Sequence, residues 1–337
     1  MAGRQARRGR NGLVAAVCLA AAVAGCGAPG GGGAAPSAER TAASAPRSAP
    51  TSTAAGAAAN AEGTSADRGG PRAAAAPLVL PGPARAEEEA GGEAVARKAR
   101  AARTALETAA RWGLARPPLP APPPPASRPA LFATQGVKLA EGLPPVVYRV
   151  PTEERIVFLT VDDGAEKDPE FSRMAAELGV PLSTFVADYL ARSDYGYFRR
   201  LAAQGDAVNN HTINHRNLKV LDYGTQHEEI CRQQDQLEEQ IGTRPRLFRP
   251  PYGEYNEDTL RAAGSCGVQA VPLWNEEAFP DHMEYRYEDQ RLHPGDIILT
   301  HFRGTDLWNG TMPDLLRKVV DEVTAQGFAL ARLDDYL

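Results

Sequence analysis

Short apolar runs alternate with amphipathic stretches through residues 136–337. The runs are rich in β-branched residues and predict strands, whereas the stretches between them have the hydrophobic spacing of helices. The predicted strands are residues 156–161, 182–186, 207–208, 246–249, 269–273, 296–300 and 329–333. The predicted helices are residues 169–178, 195–204, 225–241, 256–263 and 312–326. Strands that alternate with helices predict an α/β fold with a parallel sheet.

Polar residues stand at the carboxyl ends of five predicted strands. They are Asp162 and Asp163, His211, Arg249 to Tyr252, Trp274 and His301. A (β/α) barrel forms its site from such positions on many separate strands. An open doubly wound sheet also binds ligands at the carboxyl ends of its strands, but in a single crevice. Contributions from five strands therefore favour a barrel.

Residues 1–26 have the organisation of an export signal. Several arginines precede the apolar run Leu13–Ala24, which is too short to span a bilayer. The run ends in Val23-Ala24-Gly25-Cys26, which resembles the lipobox of bacterial lipoproteins, with Cys26 as the lipidated residue. Lipid chains would hold the protein on the outer face of the cell membrane. The alternative is ordinary secretion.

Residues 27–135 have the composition of a tether. Ala, Gly, Pro and Ser dominate, and Pro117–Pro125 is nearly a polyproline segment. Such a segment cannot bury enough apolar surface to fold, so we expect disorder. An island from Glu87 to Trp112 has helical propensity, but its apolar face is mostly alanine. We interpret it as a solvated or marginal helix, with a partner-binding helix as the alternative.

Charge is distributed unevenly along the chain. Residues 131–337 contain 21 Lys and Arg against 34 Asp and Glu, a net charge of −13, whereas residues 1–130 have a net charge of +8. An acidic domain without a Lys or Arg cluster argues against nucleic-acid binding. The acidic part is long enough for one domain with a sizeable core, and we expect a monomer.

Two cysteines remain if Cys18 leaves with the signal and Cys26 carries lipid. In an oxidising compartment, Cys231 and Cys266 favour a disulfide. The loop-entropy model gives such a bond about 3–4 kcal/mol of stabilisation. The alternative is a pair of unbonded buried thiols.

The acidic pair after the first strand is a candidate metal site. Asp162 and Asp163 would repel each other and lose hydration there, so a cation or a proton must offset their charge. The alternative is a solvated Asp-Asp-Gly turn. His211 and His215 are four residues apart and would share one face of a helical turn, unless they are capping or surface histidines. With Asp163 they would form a His-His-carboxylate set that suits Zn²⁺, Co²⁺, Ni²⁺ or Mn²⁺.

Two further segments contain candidate groups. In Arg249-Pro-Pro-Tyr-Gly253 the prolines stiffen the loop, so the amide of Tyr252 could be held in a fixed place. Arg249 is a natural partner for a carboxylate that binds no metal. Alternation along the strand 296–300 points Leu299 and His301 the same way, toward the barrel interior or its mouth. The alternatives are a Pro-rich turn with a packed Tyr and a histidine that is only hydrogen-bonded.

Four motifs, taken in order, resemble those of the polysaccharide deacetylases, the NodB-homology enzymes of carbohydrate esterase family 4. They are Thr160-Val-Asp-Asp-Gly164, His211-Thr-Ile-Asn-His215, Arg249-Pro-Pro-Tyr252 and Leu299-Thr-His301. The resemblance covers about residues 154–337. It implies a distorted (β/α) barrel that removes acetyl groups from N-acetylated sugars with the help of a divalent metal, zinc first. The implied metal ligands are Asp163, His211 and His215.

The resemblance also implies roles for the other candidates. Asp162 would be the general base, Arg249 would hold that base, and His301 would be the general acid. Tyr252 would offer its amide to the oxyanion, and Leu299 would line the pocket for the acetyl methyl group. The candidates for oxyanion and substrate binding together are Tyr252, Pro251, Leu299 and Trp274.

One motif departs from the family pattern. The family usually has an Asp-Trp pair after the strand that ends near Trp274, whereas this chain continues Asn-Glu-Glu-Ala-Phe-Pro280. Glu276 or Glu277 would have to replace the missing Asp. We expect an active deacetylase of extracellular polysaccharide, with GlcNAc or MurNAc of peptidoglycan as the first substrate and chitin-like oligomers as the second. The altered motif keeps open a catalytically impaired glycan-binding or envelope scaffold protein.

Overall fold

The computed structural model describes residues 83–337. The predicted export signal, Cys26 and the tether up to residue 82 lie outside the described residues. The strands are β1 Val137–Lys138, β2 Val146–Val147, β3 Ile156–Asp163, β4 Ser183–Val186, β5 Ala207–Asn210, β6 Val271–Pro272, β7 Glu276–Ala278, β8 Met283–Tyr285, β9 Ile297–His301 and β10 Ala329–Ala331. The helices are α1 Pro83–Arg111, α2 Pro169–Leu178, α3 Asp188–Ala191, α4 Tyr195–Gln204, α5 Tyr223–Ile241, α6 Glu257–Ser265 and α7 Met312–Ala325.

Strand β3 lies at the centre of the fold, and all eight of its residues are buried. One edge pairs in parallel with β9. The other edge pairs with β10 over residues 156–158 and with β4 over residues 160–163. Apolar side chains of β3 face a core on each side, with helices α2, α4 and α7 covering the larger one. Burial on both faces explains why this strand is almost continuously apolar until it reaches its two aspartates.

The parallel pairings run round an irregular ring. From β3 they pass to β4 and β5, and then through single bridges to Phe248 and Ala270. The chain after Ala270 continues through β6 into β7, which pairs with β9 and so leads back to β3. The predicted α/β class is therefore confirmed, and the strands follow the order of a distorted barrel, although the chain and not strand pairing joins β6 to β7. The predicted strand 246–249 contributes only bridges to this ring.

The segment 108–135 packs against the barrel. Ala109, Trp112 and Leu114 are buried in the core cluster that includes residues of α2 and α7. The indole N–H of Trp112 donates to Glu177 at 2.8 Å, and Leu119 forms a parallel bridge to Ala329. The prediction of an unfolded tether up to residue 135 is therefore wrong for this part, whereas residues 92–107 of α1 are exposed, as predicted for a solvated helix. The small side chain of Ala109 permits close approach, and Trp112 supplies the apolar surface that the alanines lack.

The disulfide prediction is confirmed, because Cys231 and Cys266 are bonded. Cys231 lies within α5, and Cys266 caps the carboxyl end of α6. The bond therefore joins two neighbouring helices on the outside of the barrel. Within residues 83–337, no helix is both long and apolar enough to cross a bilayer.

Candidate active site

The predicted metal ligands converge at the carboxyl ends of β3 and β5. His215 Nε2 lies 3.2 Å from Asp163 Oδ1, and His211 Nε2 lies 3.7 Å from the same oxygen. One ligand atom from each of the three residues lies within 4.8 Å of the other two. The structure therefore brings together Asp163, His211 and His215, as the sequence predicted.

The segment that contains both histidines is a loop and not the predicted helical turn. Thr212 and His215 have left-handed backbone conformations, with φ values of 72° and 52°. The amide of Thr212 donates to Asn210 Oδ1, and Asn210 itself is bound to Ile230 and Gln234 of α5. The prediction of a helical turn was wrong because these side-chain bonds fix the loop from outside. The two imidazoles still meet, with ring centroids 4.8 Å apart.

His211 is oriented by the backbone of the neighbouring motif. Its Nδ1 lies 2.7 Å from the carbonyl oxygen of Arg249, so that Nδ1 carries the proton and Nε2 faces Asp163. Burial, followed by the charge of His215, lowers the pKa of His211 to about 3. The ring is therefore neutral at pH 7, and a neutral imidazole with one fixed N–H is the form that binds a metal.

Asp163 has the features of a carboxylate that fits a divalent ion. Its Oδ1 is buried and has no hydrogen-bond partner among the described residues. Burial would raise the pKa of Asp163, but the surrounding imidazoles of His215, His211 and His301 outweigh burial and hold the pKa well below its usual range. A buried, ionised and incompletely satisfied oxygen beside two imidazoles matches the donor set of zinc and similar ions.

Asp162 is held by a buried arginine. Arg249 is fully buried, and its Nη1 donates to Asp162 Oδ1 at 2.7 Å and to Thr160 Oγ1 at 2.9 Å. Its Nε donates to the carbonyl oxygen of Pro272, and its plane lies 4.3 Å from the ring centre of Phe185. The second oxygen of Asp162, Oδ2, faces the metal-ligand set at 3.7 Å from His211 Nε2. One oxygen is therefore fixed and the other is directed at the site.

Burial raises the pKa of Asp162 to about 7, and Asp163 adds to that effect while Arg249 opposes it. Without Arg249 the carboxyl would keep its proton more strongly still. A carboxyl that gains and loses a proton near neutral pH is suited to act as a base.

The predicted metal ligands and Asp162 face solvent through a gap in the rim of the fold, which is called the opening below. The Arg249–Gly253 segment forms one side of it. Tyr252 has a left-handed φ of 63° and is 63% exposed, and its ring contacts that of His215 at 4.8 Å. Pro251 is buried beneath it. A Cβ at Gly253 would come within 2.9 Å of the Trp274 ring, so this turn lies directly on Trp274. Pro251, Tyr252 and Trp274 are thus brought together beside the predicted ligands.

His301 ends β9 on the opposite side. Its Nδ1 is buried, has no hydrogen-bond partner within residues 83–337 and lies 3.6 Å from Glu277 Oε1. Burial lowers the pKa of His301 to about 4, and burial, followed by Glu284, raises the pKa of Glu277. Leu299 is buried two residues earlier on the same strand. Of the two glutamates that could replace the missing Asp, Glu277 contacts His301, whereas Glu276 is buried near Asp296.

Three residues at the opening were not singled out from the sequence. Arg303 Nη2 lies 3.3 Å from Asp163 Oδ2, and the Trp308 ring lies 6.3 Å from that of His301. Tyr189 follows β4 and is 46% exposed; burial, together with the negative charge of Asp163, raises its pKa. Arg303 could have been suspected from the sequence, because it lies two residues after His301 and alternate residues of an extended segment point to the same side. Nothing in the local pattern marked Tyr189 or Trp308.

Comparisons with known proteins identify relatives of this chain. A family model described as polysaccharide deacetylase matches residues 149–271. The uncharacterized protein SCO4760 of Streptomyces coelicolor is 39% identical over 216 residues, 63% of this chain and 83% of that protein. A peptidoglycan-N-acetylglucosamine deacetylase of Bacillus cereus is 25% identical over 206 residues, 57% of this chain and 92% of that protein. The crystal structure of BA3943 from Bacillus anthracis, titled a CE4 family pseudoenzyme, has a TM-score of 0.50 at 18% identity and covers 57% of this chain and 69% of that one.

Proposed function

Because the chain belongs to the polysaccharide deacetylase family, we propose that it hydrolyses the N-acetyl groups of an N-acetylated polysaccharide outside the cell. The observation that carries the proposal is the convergence of Asp162, Asp163, His211, His215 and His301 on one opening. Peptidoglycan GlcNAc or MurNAc is the first candidate substrate, which the name of the Bacillus cereus relative supports. Chitin-like oligomers are the second.

In this proposal Asp163, His211 and His215 hold a divalent metal ion, zinc first and cobalt, nickel or manganese otherwise. When bound, such an ion polarises the amide carbonyl and lowers the pKa of water toward ~7. The orphaned Asp163 Oδ1 and the neutral imidazole of His211 support this assignment.

Asp162 takes the proton from the attacking water through Oδ2. Arg249 occupies Oδ1 at 2.7 Å, so the free oxygen is the one that faces the site. The four hydrogen bonds of Arg249 to Asp162, Thr160, Pro272 and Leu273 prevent it from turning with the carboxylate. The base therefore keeps its direction while its protonation state changes.

His301 delivers a proton to the leaving nitrogen. An amine leaves an amide readily only once it is protonated. His301 and Glu277 together can hold that proton, because their nearest atoms are 3.6 Å apart and both side chains are largely shielded from water. Tyr252 would present its amide to the oxyanion on the other side, with Pro251 fixing the turn. Leu299 and Trp274 supply apolar surface for the acetyl group and the sugar.

A second candidate is a catalytically impaired member that binds glycan without cleaving it. The absent Asp-Trp pair favours it, and a structure of similar fold is titled a pseudoenzyme. In that case the chain would bind the polysaccharide and release no acetate.

Acetate release decides between the two. Purified protein is incubated with isolated peptidoglycan or with chitin oligomers and with Zn²⁺ or Co²⁺, and acetate is measured enzymatically. We expect release by the unaltered protein and a loss of about 10²- to 10⁴-fold in Asp162→Asn. Equal rates from the two proteins would refute the assigned base. No release from a protein that binds both metal and glycan would support the impaired member.

We also propose that lipid on Cys26 holds the protein at the outer face of the membrane. The lipobox-like sequence before Cys26 supports this location. Expressed in a bacterium that processes lipoproteins, the protein should sediment with membranes, and Cys26→Ser should move it to the soluble fraction or the medium. An unchanged distribution would refute the anchor.

A further inference from the structure

Arg303 contacts the predicted metal ligand Asp163 from the side away from the histidines. Its Nη2 lies 3.3 Å from Asp163 Oδ2. The Arg303 side chain is 36% exposed, whereas that of Asp163 is 8% exposed. The arginine therefore approaches a buried carboxylate from the solvent side.

The two oxygens of Asp163 face different partners. Oδ2 accepts from Arg303. Oδ1 lies 3.2 Å from Nε2 of His215 and 3.7 Å from Nε2 of His211, and it has no hydrogen-bond partner in the part of the chain that the structure describes. A carboxylate that can turn about its last bond would otherwise exchange these oxygens. We infer that Arg303 is a positioning residue, which holds Oδ2 so that Oδ1 stays directed at the space between the two imidazoles. The inference rests on the proposed metal-dependent function.

The fold holds the backbone next to Arg303 in place. Phe302 is fully buried, and its ring packs edge-on against those of Phe171, Tyr197 and Phe198. Its amide donates to the carbonyl oxygen of Asp162 at 2.9 Å. The loop that holds Arg303 is thus bonded to the strand end that holds Asp163. Trp308 lies 6.0 Å from the guanidinium and flanks it.

Two effects of Arg303 on metal affinity oppose each other. Its positive charge repels a divalent ion, but the side chain is 36% exposed, so nearby water weakens that repulsion relative to the repulsion from a buried charge. The orientation of a ligand by an outer partner typically contributes 10- to 100-fold in metal affinity, by general experience with such sites. The screened position makes orientation the larger effect, so loss of Arg303 should weaken metal binding.

The test measures affinity for Zn²⁺ by competition with a chromophoric chelator, together with the visible absorption of Co²⁺-loaded protein. Arg303→Met removes the donor and the charge and keeps a similar stem, and we expect ~10- to 100-fold weaker Zn²⁺ binding and an altered Co²⁺ spectrum. Arg303→Lys retains a cationic donor and should recover most of the affinity. Arg192→Met is the matched control, because Arg192 pairs with Asp188 just beyond the carboxyl end of β4 without touching the ligand set.

Unchanged Zn²⁺ affinity and an unchanged Co²⁺ spectrum in Arg303→Met would overturn the inference, and so would tighter binding, which would show that charge repulsion dominates. A loss of the same size in Arg192→Met would also overturn it. Circular dichroism establishes that each variant is folded. Acetate release is measured separately, because it tests the proposed function and not the role of Arg303. If the unaltered protein binds Zn²⁺ but releases no acetate, the proposed function is contradicted. If Arg303→Met binds Zn²⁺ as tightly as the unaltered protein, the role of Arg303 is contradicted.

Discussion

Glu276 offers a test of how a buried carboxyl pair affects stability. It lies on β7 next to Glu277, but it is fully buried, and neither of its carboxyl oxygens has a hydrogen-bond partner among the described residues. Burial, followed by the charge of the fully buried Asp296, raises the pKa of Glu276 far above its ordinary value. The amide of His293 and the side chain of Asn275 already bind Asp296. Glu276 therefore keeps a proton at neutral pH.

Holding this proton destabilises the fold as the pH rises. In the unfolded chain the carboxyl ionises with its ordinary pKa of 4.5. Because the folded pKa is raised, the folded state binds more protons, and its stability is fully present below about pH 4.5 and falls above it. Each pH unit above 4.5 lowers the free energy of unfolding by ~1.4 kcal/mol, so the loss at pH 7 is about 3 kcal/mol. Glu276→Gln has the same shape, can donate to Asp296 through its amide, and does not carry this cost.

The assay is urea unfolding of both proteins at pH 5, 6, 7 and 8. We expect Glu276→Gln to be more stable by less than ~1 kcal/mol at pH 5 and by about 3 kcal/mol at pH 7. His293, Arg149 and Arg286 also face the pair, but they are common to both proteins and cancel in the difference. Glu257→Gln, in an exposed ion pair with Arg261, controls for the substitution itself. The reasoning would be refuted if the difference in the free energy of unfolding did not depend on pH. It would also be refuted if the unaltered protein became more stable relative to the variant as the pH rises.

Three further predictions concern contacts described above. Glu277→Gln should slow acetate release about tenfold, because His301 loses a charged partner that contributes ~1.4 kcal/mol. An unchanged rate would show that Glu277 takes no part in the reaction. Cys231→Ser combined with Cys266→Ser should lower the free energy of unfolding by about 3–4 kcal/mol, and a reductant should reproduce the loss in the unaltered protein only. Trp112→Ala should cost about 3 kcal/mol in urea unfolding because the indole is buried and hydrogen-bonded; a cost below ~1 kcal/mol would mean that the segment before β1 does not stabilise the domain.

Elements with strong local signals were predictable from the sequence. The predicted helices 169–178 and 195–204 coincide with α2 and α4. Each begins after an aspartate that accepts from the first backbone amides and ends at a left-handed glycine. These caps act within one turn of the chain, so no tertiary information is needed to recognise them.

Elements that depend on distant partners were missed. β7 and β8 contain Glu276, Glu277 and Glu284, which give no strand pattern, and they form because the edge of β9 supplies the partner for β7. The loop from His211 to His215 was predicted as a helical turn because only the four-residue spacing is visible locally. The bonds of Asn210 and Asn214 to α5, which determine its shape, join residues 15 to 24 positions apart.

The candidate site was predictable in its residues and not in its supporting contacts. The motifs contain Asp162, Asp163, His211 and His215, which the structure brings together as a candidate metal site with a neighbouring carboxylate. They did not reveal Arg303, because its contact with Asp163 spans 140 positions. They also could not decide between Glu276 and Glu277, since that choice depends on which face of β7 lies toward His301.

The bridge between Leu119 and Ala329 determines from which end the chain reaches the barrel. Ala329 pairs with Ile156, the first residue of β3, whereas Asp163 ends the same strand. A strand of this length spans about 23 Å, so the incoming polypeptide and the catalytic opening occupy opposite poles. A molecule that enters the opening would therefore approach from the end of β3 that lies away from Leu119.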